Sequence, residues 1–248
     1  MNKHTQSEDE MASIAPSADV LSEIKITGLD KVEAVSDAVT RVFIDKTLGL
    51  VPGVGILIGS IREYDNEIEK RKLEILLENF QQRFTSIELS VDRMTTLLGS
   101  GKGFVLFRKI AALTEIGPPE PEYITLLANA LKRITDSDFT ALFLDHSYML
   151  YQMEKLTPHA LILLADNAKW PKISFASTTT SGVTNGQGWD TSFADKYCEQ
   201  KNFSEPIAKS RICHVINELR NSNICELQPQ ALSLTAIGVE LTSYICTV

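Results

Sequence analysis

The chain has no cysteine pair at CxxC spacing, no HExxH and no cluster of histidine with cysteine that would hold zinc. Its four cysteines, Cys198, Cys213, Cys225 and Cys246, are scattered over the last fifth of 248 residues, with only His214 near them. Reduced, packed thiols in a cytoplasmic protein are the expectation. Positive charge is also short: 24 Lys and Arg stand against 32 Asp and Glu, for a net charge of −8. That balance disfavours non-specific binding to nucleic acid or to an anionic membrane. Residues 1–18 lack a basic stretch followed by an apolar core, so no secretory signal is expected there, only a disordered acidic tail.

Catalytic constellations are missing as well. The segment Gly99-Ser100-Gly101-Lys102-Gly103 suggests a phosphate loop, but Thr96 stands where the first glycine of such a loop belongs and Gly103 where Ser or Thr must follow the lysine. An interhelix turn is the better account. Asp145 and His146 are adjacent on helical sequence and point in different directions, so they make no dyad. His159 sits two residues into a helix start, and no Ser or Cys has a nucleophile elbow around it. We expect no enzyme activity, no cofactor and no metal.

What the chain does have is helical periodicity. Apolar residues in 19–46 recur at three and four. Residues 61–98 read as one long amphipathic helix with Ile68, Ile75, Leu76, Phe80, Phe84, Ile87, Val91, Met94 and Leu98 on its stripe. Further helices are expected over 104–116, 121–134, 138–154 and 159–168, the last started by Thr157 as cap and Pro158 at the first helical position. Residues 172–189, rich in Ser, Thr and Gly, read as a linker after a helical body spanning 19–171.

The apolar run 47–61 contains Pro52, Gly53, Gly55 and Gly59. Gly55 and Gly59 form a GxxxG, a spacing that lets membrane helices approach closely. Fifteen residues make only about 22 Å of helix against about 30 Å of hydrocarbon, and Pro52-Gly53 interrupts them. A buried core segment is the primary reading and membrane insertion the alternative.

Residues 190–248 read as a winged helix-turn-helix module with a small β-hairpin. Two helical stretches flank Lys201-Asn202-Phe203-Ser204, two short β-runs flank Gln228-Pro229-Gln230, and 235–245 returns to helix. The second helix offers Lys209, Ser210, Arg211, His214, Asn217 and Arg220 as candidate partner or DNA contacts. The module holds five Lys or Arg against seven acids, a net of −2, where DNA readers are usually basic. A protein partner is therefore expected ahead of duplex DNA.

Several of these segments together resemble a loosely defined group of bacterial helical proteins, some encoded beside antiphage defence genes. The resemblance rests on Val51-Pro52-Gly53-Val54-Gly55 and the charged helix after it, and on the stretch from Tyr123 to Ala130. It also rests on Leu156-Thr157-Pro158-His159-Ala160-Leu161 and on the ending Leu232-Ser233-Leu234-Thr235-Ala236-Ile237-Gly238. Ala236 departs from the proline common in such endings. The resemblance implies a helical scaffold with a terminal winged helix and a role in host defence, and it implies no catalytic residue.

The expectation is a mainly α protein, a multi-helix body followed by a C-terminal winged helix, acting as a non-enzymatic binding or regulatory protein. Its partner would be another protein or a second copy of itself. Alternatives are a transcriptional regulator on duplex DNA, and an abortive-infection effector that inserts residues 48–61 into membranes.

Overall fold

The computed structural model describes residues 67–117, 120–173, 188–228 and 231–246, all within one compact unit. The expected tail 1–18, the helical material 19–46 and the segment carrying Pro52, Gly53, Gly55 and Gly59 lie outside the described residues. Within them the chain is mainly helical, with a small antiparallel hairpin near the C-terminus. In chain order the elements are α1 (Glu67–Gln81), α2 (Ile87–Gly99), α3 (Gly101–Ile116), α4 (Pro121–Asp136), α5 (Phe143–Glu154) and α6 (Pro158–Ala165). After a 3₁₀ turn, Asn167–Lys169, come α7 (Trp189–Lys201), α8 (Pro206–Asn221), β1 (Cys225–Gln228), β2 (Ala231–Leu234) and α9 (Ala236–Ile245).

The single long helix expected over 61–98 is instead broken between Gln81 and Ile87. The bonds Arg83 N to Phe80 O and Phe84 N to Gln81 O tighten the last turn of α1. Ser86 then turns extended, and its hydroxyl caps α2 by accepting from Leu89 N at 3.2 Å. The Arg83 side chain holds the corner by donating to Asn79 O, to Thr125 O and to Asn129 Oδ1. The apolar stripe survives the break: Leu76, Phe80, Met94 and Leu98 are buried, with Ile75, Phe84, Ile87 and Val91 packed against them.

The glycine-rich segment after α2 interrupts the helices at Ser100 alone, which caps α3 through Gly103 N. Gly103 is needed for packing, because a Cβ there would sit 2.1 Å from Leu97 O. At the far end of α3, the buried Lys72 of α1 donates to Glu115 O at 3.2 Å and Gly117 O at 2.6 Å. A cation on the last carbonyls of a helix is favoured by both hydrogen bonding and the helix dipole.

Helix α4 is the hub. Tyr123, Ile124, Leu126, Leu127, Ala128, Ala130, Leu131 and Ile134 are all buried and form a wide apolar face, with Glu122, Lys132, Arg133 and Asp136 on the opposite side. It packs against α1, α2, α3, α6 and α9. Asn129, also buried on α4, donates to Ile245 O at 2.8 Å and so ties the hub to the end of the last helix. Most of the expected linker 172–189 lies outside the described residues. The residues on either side of it, Leu73–Ile173 and Trp189–Ile245, contribute to one hydrophobic cluster.

The C-terminal elements follow local rules closely. Asn202 ends α7 in the left-handed region (φ 56°), with Phe203 N bonded back to Cys198 O at 2.9 Å. Asn223 does the same after α8, with Ile224 N on Leu219 O. The hairpin pairs Cys225 with Leu234 and Gln228 with Ala231. Thr235 then caps α9 by accepting from Gly238 N at 3.1 Å while donating to Asn223 O at 2.7 Å.

Candidate partner-binding face

Helix α8 carries all six residues singled out from the sequence, and its packing divides them. Ile212, Val215, Ile216 and Leu219 turn inward. Lys209 leans toward α7 and forms an ion pair with Asp195 at 2.6 Å. Asn217 and Arg220 line a cleft of about 380 Å³ with Trp189, Asp190, Thr191 and Leu227, and Arg220 Nη1 reaches Asn217 Oδ1 at 3.5 Å. Arg211 lies on the other flank, in the wall of a larger groove. Ser210 and His214 remain on the exposed outer face. The six residues are thus spread over several surfaces of α8, with Lys209, Ser210, Arg211, His214 and Arg220 exposed.

The larger groove, about 810 Å³, lies among the start of α4, α6, α7 and α8. Its apolar lining comes from Leu126, Ile162, Leu163, Phe203, Ile212 and Val215. Its rim is charged: Glu120 just before α4 and Glu122 on it, His159 on α6, Lys169 and Lys201 at the α6–α7 end, and Arg211 on α8. An apolar concavity of this size with a few polar groups has the form of a binding site.

Two sets of polar contacts hold the helices around the groove. At one end, Asp166 is held by Lys201 at 2.6 Å, by Lys169 at 3.0 Å and by the Tyr197 hydroxyl at 2.8 Å. Burial pushes the Asp166 carboxyl up, but the hydrogen bonds from Lys201, Tyr197 and Lys169 outweigh it and leave the group below the ordinary carboxylate range. At the start of α6, Glu218 of α8 accepts from Thr157 N at 2.5 Å and from Thr157 Oγ1 at 2.8 Å. Helix α8 is therefore fixed to α6 by these hydrogen bonds and by packing.

His146 is buried away from the groove. Ser137 donates its hydroxyl proton to Ile134 O, so His146 Nε2–H donates to Ser137 Oγ and Nδ1 accepts from Tyr244 O–H. That assigns the neutral ring. Burial lowers its pKa, the Asp145 carboxylate raises it in part, and Arg133 lowers it further. The arrangement joins α5 to α9 and presents no proton-transfer partner to an open site.

Burial pushes all four thiols up, Cys225 to about 12, so none is a thiolate at neutral pH. Among the described residues, no group of three or more His, Cys, Asp or Glu is placed to hold a metal ion. No described helix is long and apolar enough to cross a membrane.

Comparison with family models, with curated proteins and with solved structures finds no match to this chain. The site must be read from its own residues. Sequence reasoning missed Glu120, Glu122, Ile162, Asp166, Lys201 and Phe203, because the groove joins elements far apart in the chain. The one local signal was Phe203, a large apolar residue in a helix–helix turn and half exposed.

Proposed function

We propose that the chain is a non-enzymatic binding or regulatory protein whose C-terminal winged helix engages a protein partner through the α6–α8 groove. Helix, turn, helix, hairpin and closing helix follow one another in the order that a winged helix requires. The observation that carries the partner reading is the disposition of the α8 cations. A DNA-reading helix presents basic groups at its outer face to phosphates and base edges. Here Lys209 is paired with Asp195, Arg220 lines the smaller cleft and Arg211 the charged rim of the larger groove, so the exposed cations are divided among different surfaces. Burying apolar area against a partner of mixed charge suits this surface better than gripping a polyanion. The resemblance noted in the sequence favours a host-defence setting for this binding role.

The test compares two baits in extracts of the source cells, the wild-type chain and Phe203→Asp, which changes an exposed side chain. A protein retained by the first and lost by the second is the expected result. Duplex DNA bound tightly at low salt, and released by Arg211→Ala, would overturn the reading in favour of a transcriptional regulator.

A further inference from the structure

The α6–α8 groove is polarised from wall to wall. Helix α6 packs against both α4 and α8, and its Ile162 and Leu163 lie on the floor between them. On one side, Glu120 and Glu122 stand at the start of α4. On the other, α7 and α8 pack together and bring Lys201 and Arg211 to the rim. The lining of this cavity of about 810 Å³ belongs wholly to the described residues.

The rim charges do not all neutralise one another. Lys169 and Lys201 share the single carboxylate of Asp166, at 3.0 Å and 2.6 Å, which leaves one positive charge in excess. Among the described residues, Glu120, Glu122 and Arg211 have no ion-pair partner. The α4 wall is thus acidic and the α7–α8 wall basic, with an apolar floor between them. The groove is also walled by helices and the turns beside them, and the β1–β2 hairpin takes no part. An extended peptide would find no strand edge to pair with, whereas an apolar channel between helices receives the apolar face of another helix.

We infer that the occupant of the groove is an amphipathic helix of a partner protein, with a basic flank along one edge of its apolar stripe and an acidic flank along the other. Its apolar side chains seat on Leu126, Ile162, Ile212 and Val215. Its basic flank meets Glu120 and Glu122, and its acidic flank meets Arg211 and the excess charge beside Lys201. Rim charges of this kind choose the partner and its orientation more than they add affinity. This chemistry rests on the groove being the partner site.

Three synthetic helical peptides with one shared leucine stripe test it, by fluorescence anisotropy on the full chain at low salt. The first has a lysine flank and a glutamate flank, the second lysine on both flanks, the third glutamate on both. The wild type should bind the first about fivefold more tightly than the others, the worth of a few exposed charge pairs. Glu122→Lys should move the preference toward the glutamate-flanked peptide, and Arg211→Glu toward the lysine-flanked one. Both positions are exposed, so circular dichroism should be unchanged. Phe203→Asp, at the groove mouth, should weaken all three peptides.

No binding to the wild type, or a ranking that ignores the charge reversals, would overturn the inference. Binding that survives Phe203→Asp would put the peptides elsewhere and overturn it too. Equal affinity for the three peptides, lost with Phe203→Asp, would remove the charge-coded helix yet leave the groove as the partner site.

Discussion

Glu218 on α8 grips the first turn of α6 through Thr157, accepting from both its backbone N–H and its hydroxyl. The same Thr157 caps α6 by accepting from Ala160 N, so one carboxylate orients the cap and complements the helix dipole. Two helices distant in sequence share one terminus. This contact holds α8 against the start of α6.

Replacing Glu218 by Ala should therefore destabilise the protein by about 1–2 kcal/mol, the range for losing a cap or a charge-assisted hydrogen bond. Glu218→Gln should recover part of the loss, since its carbonyl can still accept from Thr157. Denaturant unfolding of the three proteins measures both effects. Equal stability in all three would mean that the contact contributes nothing.

Gly238 begins α9 where a Cβ would meet Ile224 O at 2.0 Å. Gly238→Ala must push the helix start away from the α8–β1 corner, at a cost of about 1–3 kcal/mol typical of overpacking. Gly101→Ala is the control, because a Cβ there has open space around it. It should change stability by less than about 0.5 kcal/mol, as surface substitutions do. Thermal melts of the pair distinguish a packing requirement from a general effect of glycine replacement.

His146 gives the pH dependence a definite sign. Burial holds its pKa below the ordinary 6.5 in the folded state, so the unfolded chain takes up the proton first. The stabilisation is complete above that value and falls as the pH drops below it toward the lowered folded pKa. Denaturation midpoints between about pH 7 and 5 should decline with acid, and His146→Gln should remove the part of the slope that this group causes. A ring that titrates above 6.5 by NMR in the folded protein would contradict the neutral, doubly bonded imidazole.

The net charge of −2 over residues 190–248 and the ion pair of Lys209 with Asp195 bear on nucleic acid directly. Fluorescence anisotropy with duplex DNA at low salt should show no tight, salt-steep binding. A steep fall in affinity with added salt is the signature of phosphate contacts, and finding it would reverse the ranking of partners.

Helix positions were legible in the sequence because local chemistry decides them. Thr157-Pro158 starts α6, Asn202 and Asn223 end α7 and α8, and Thr235 with Gly238 starts α9. The break between α1 and α2 was not legible. Phe84 and Ile87 continue the apolar period across it, while the bonds that hold the corner come from Arg83 to residues on α4. The groove was hidden for the same reason. Glu120, His159, Lys201 and Arg211 come together only through the packing of α6 against α4 and α8, and no spacing in the chain records that.

Photo-crosslinking from the groove tests the central claim most directly. A benzophenone amino acid at position 203, in place of the half-exposed phenylalanine, stands at the groove mouth in the intact protein. The same probe at Val105, exposed on α3, serves as the comparison. Irradiation in the source cells should give one discrete protein adduct from position 203 and none of that mass from position 105. No adduct from position 203, or one that nuclease removes, would contradict a protein partner seated in the groove.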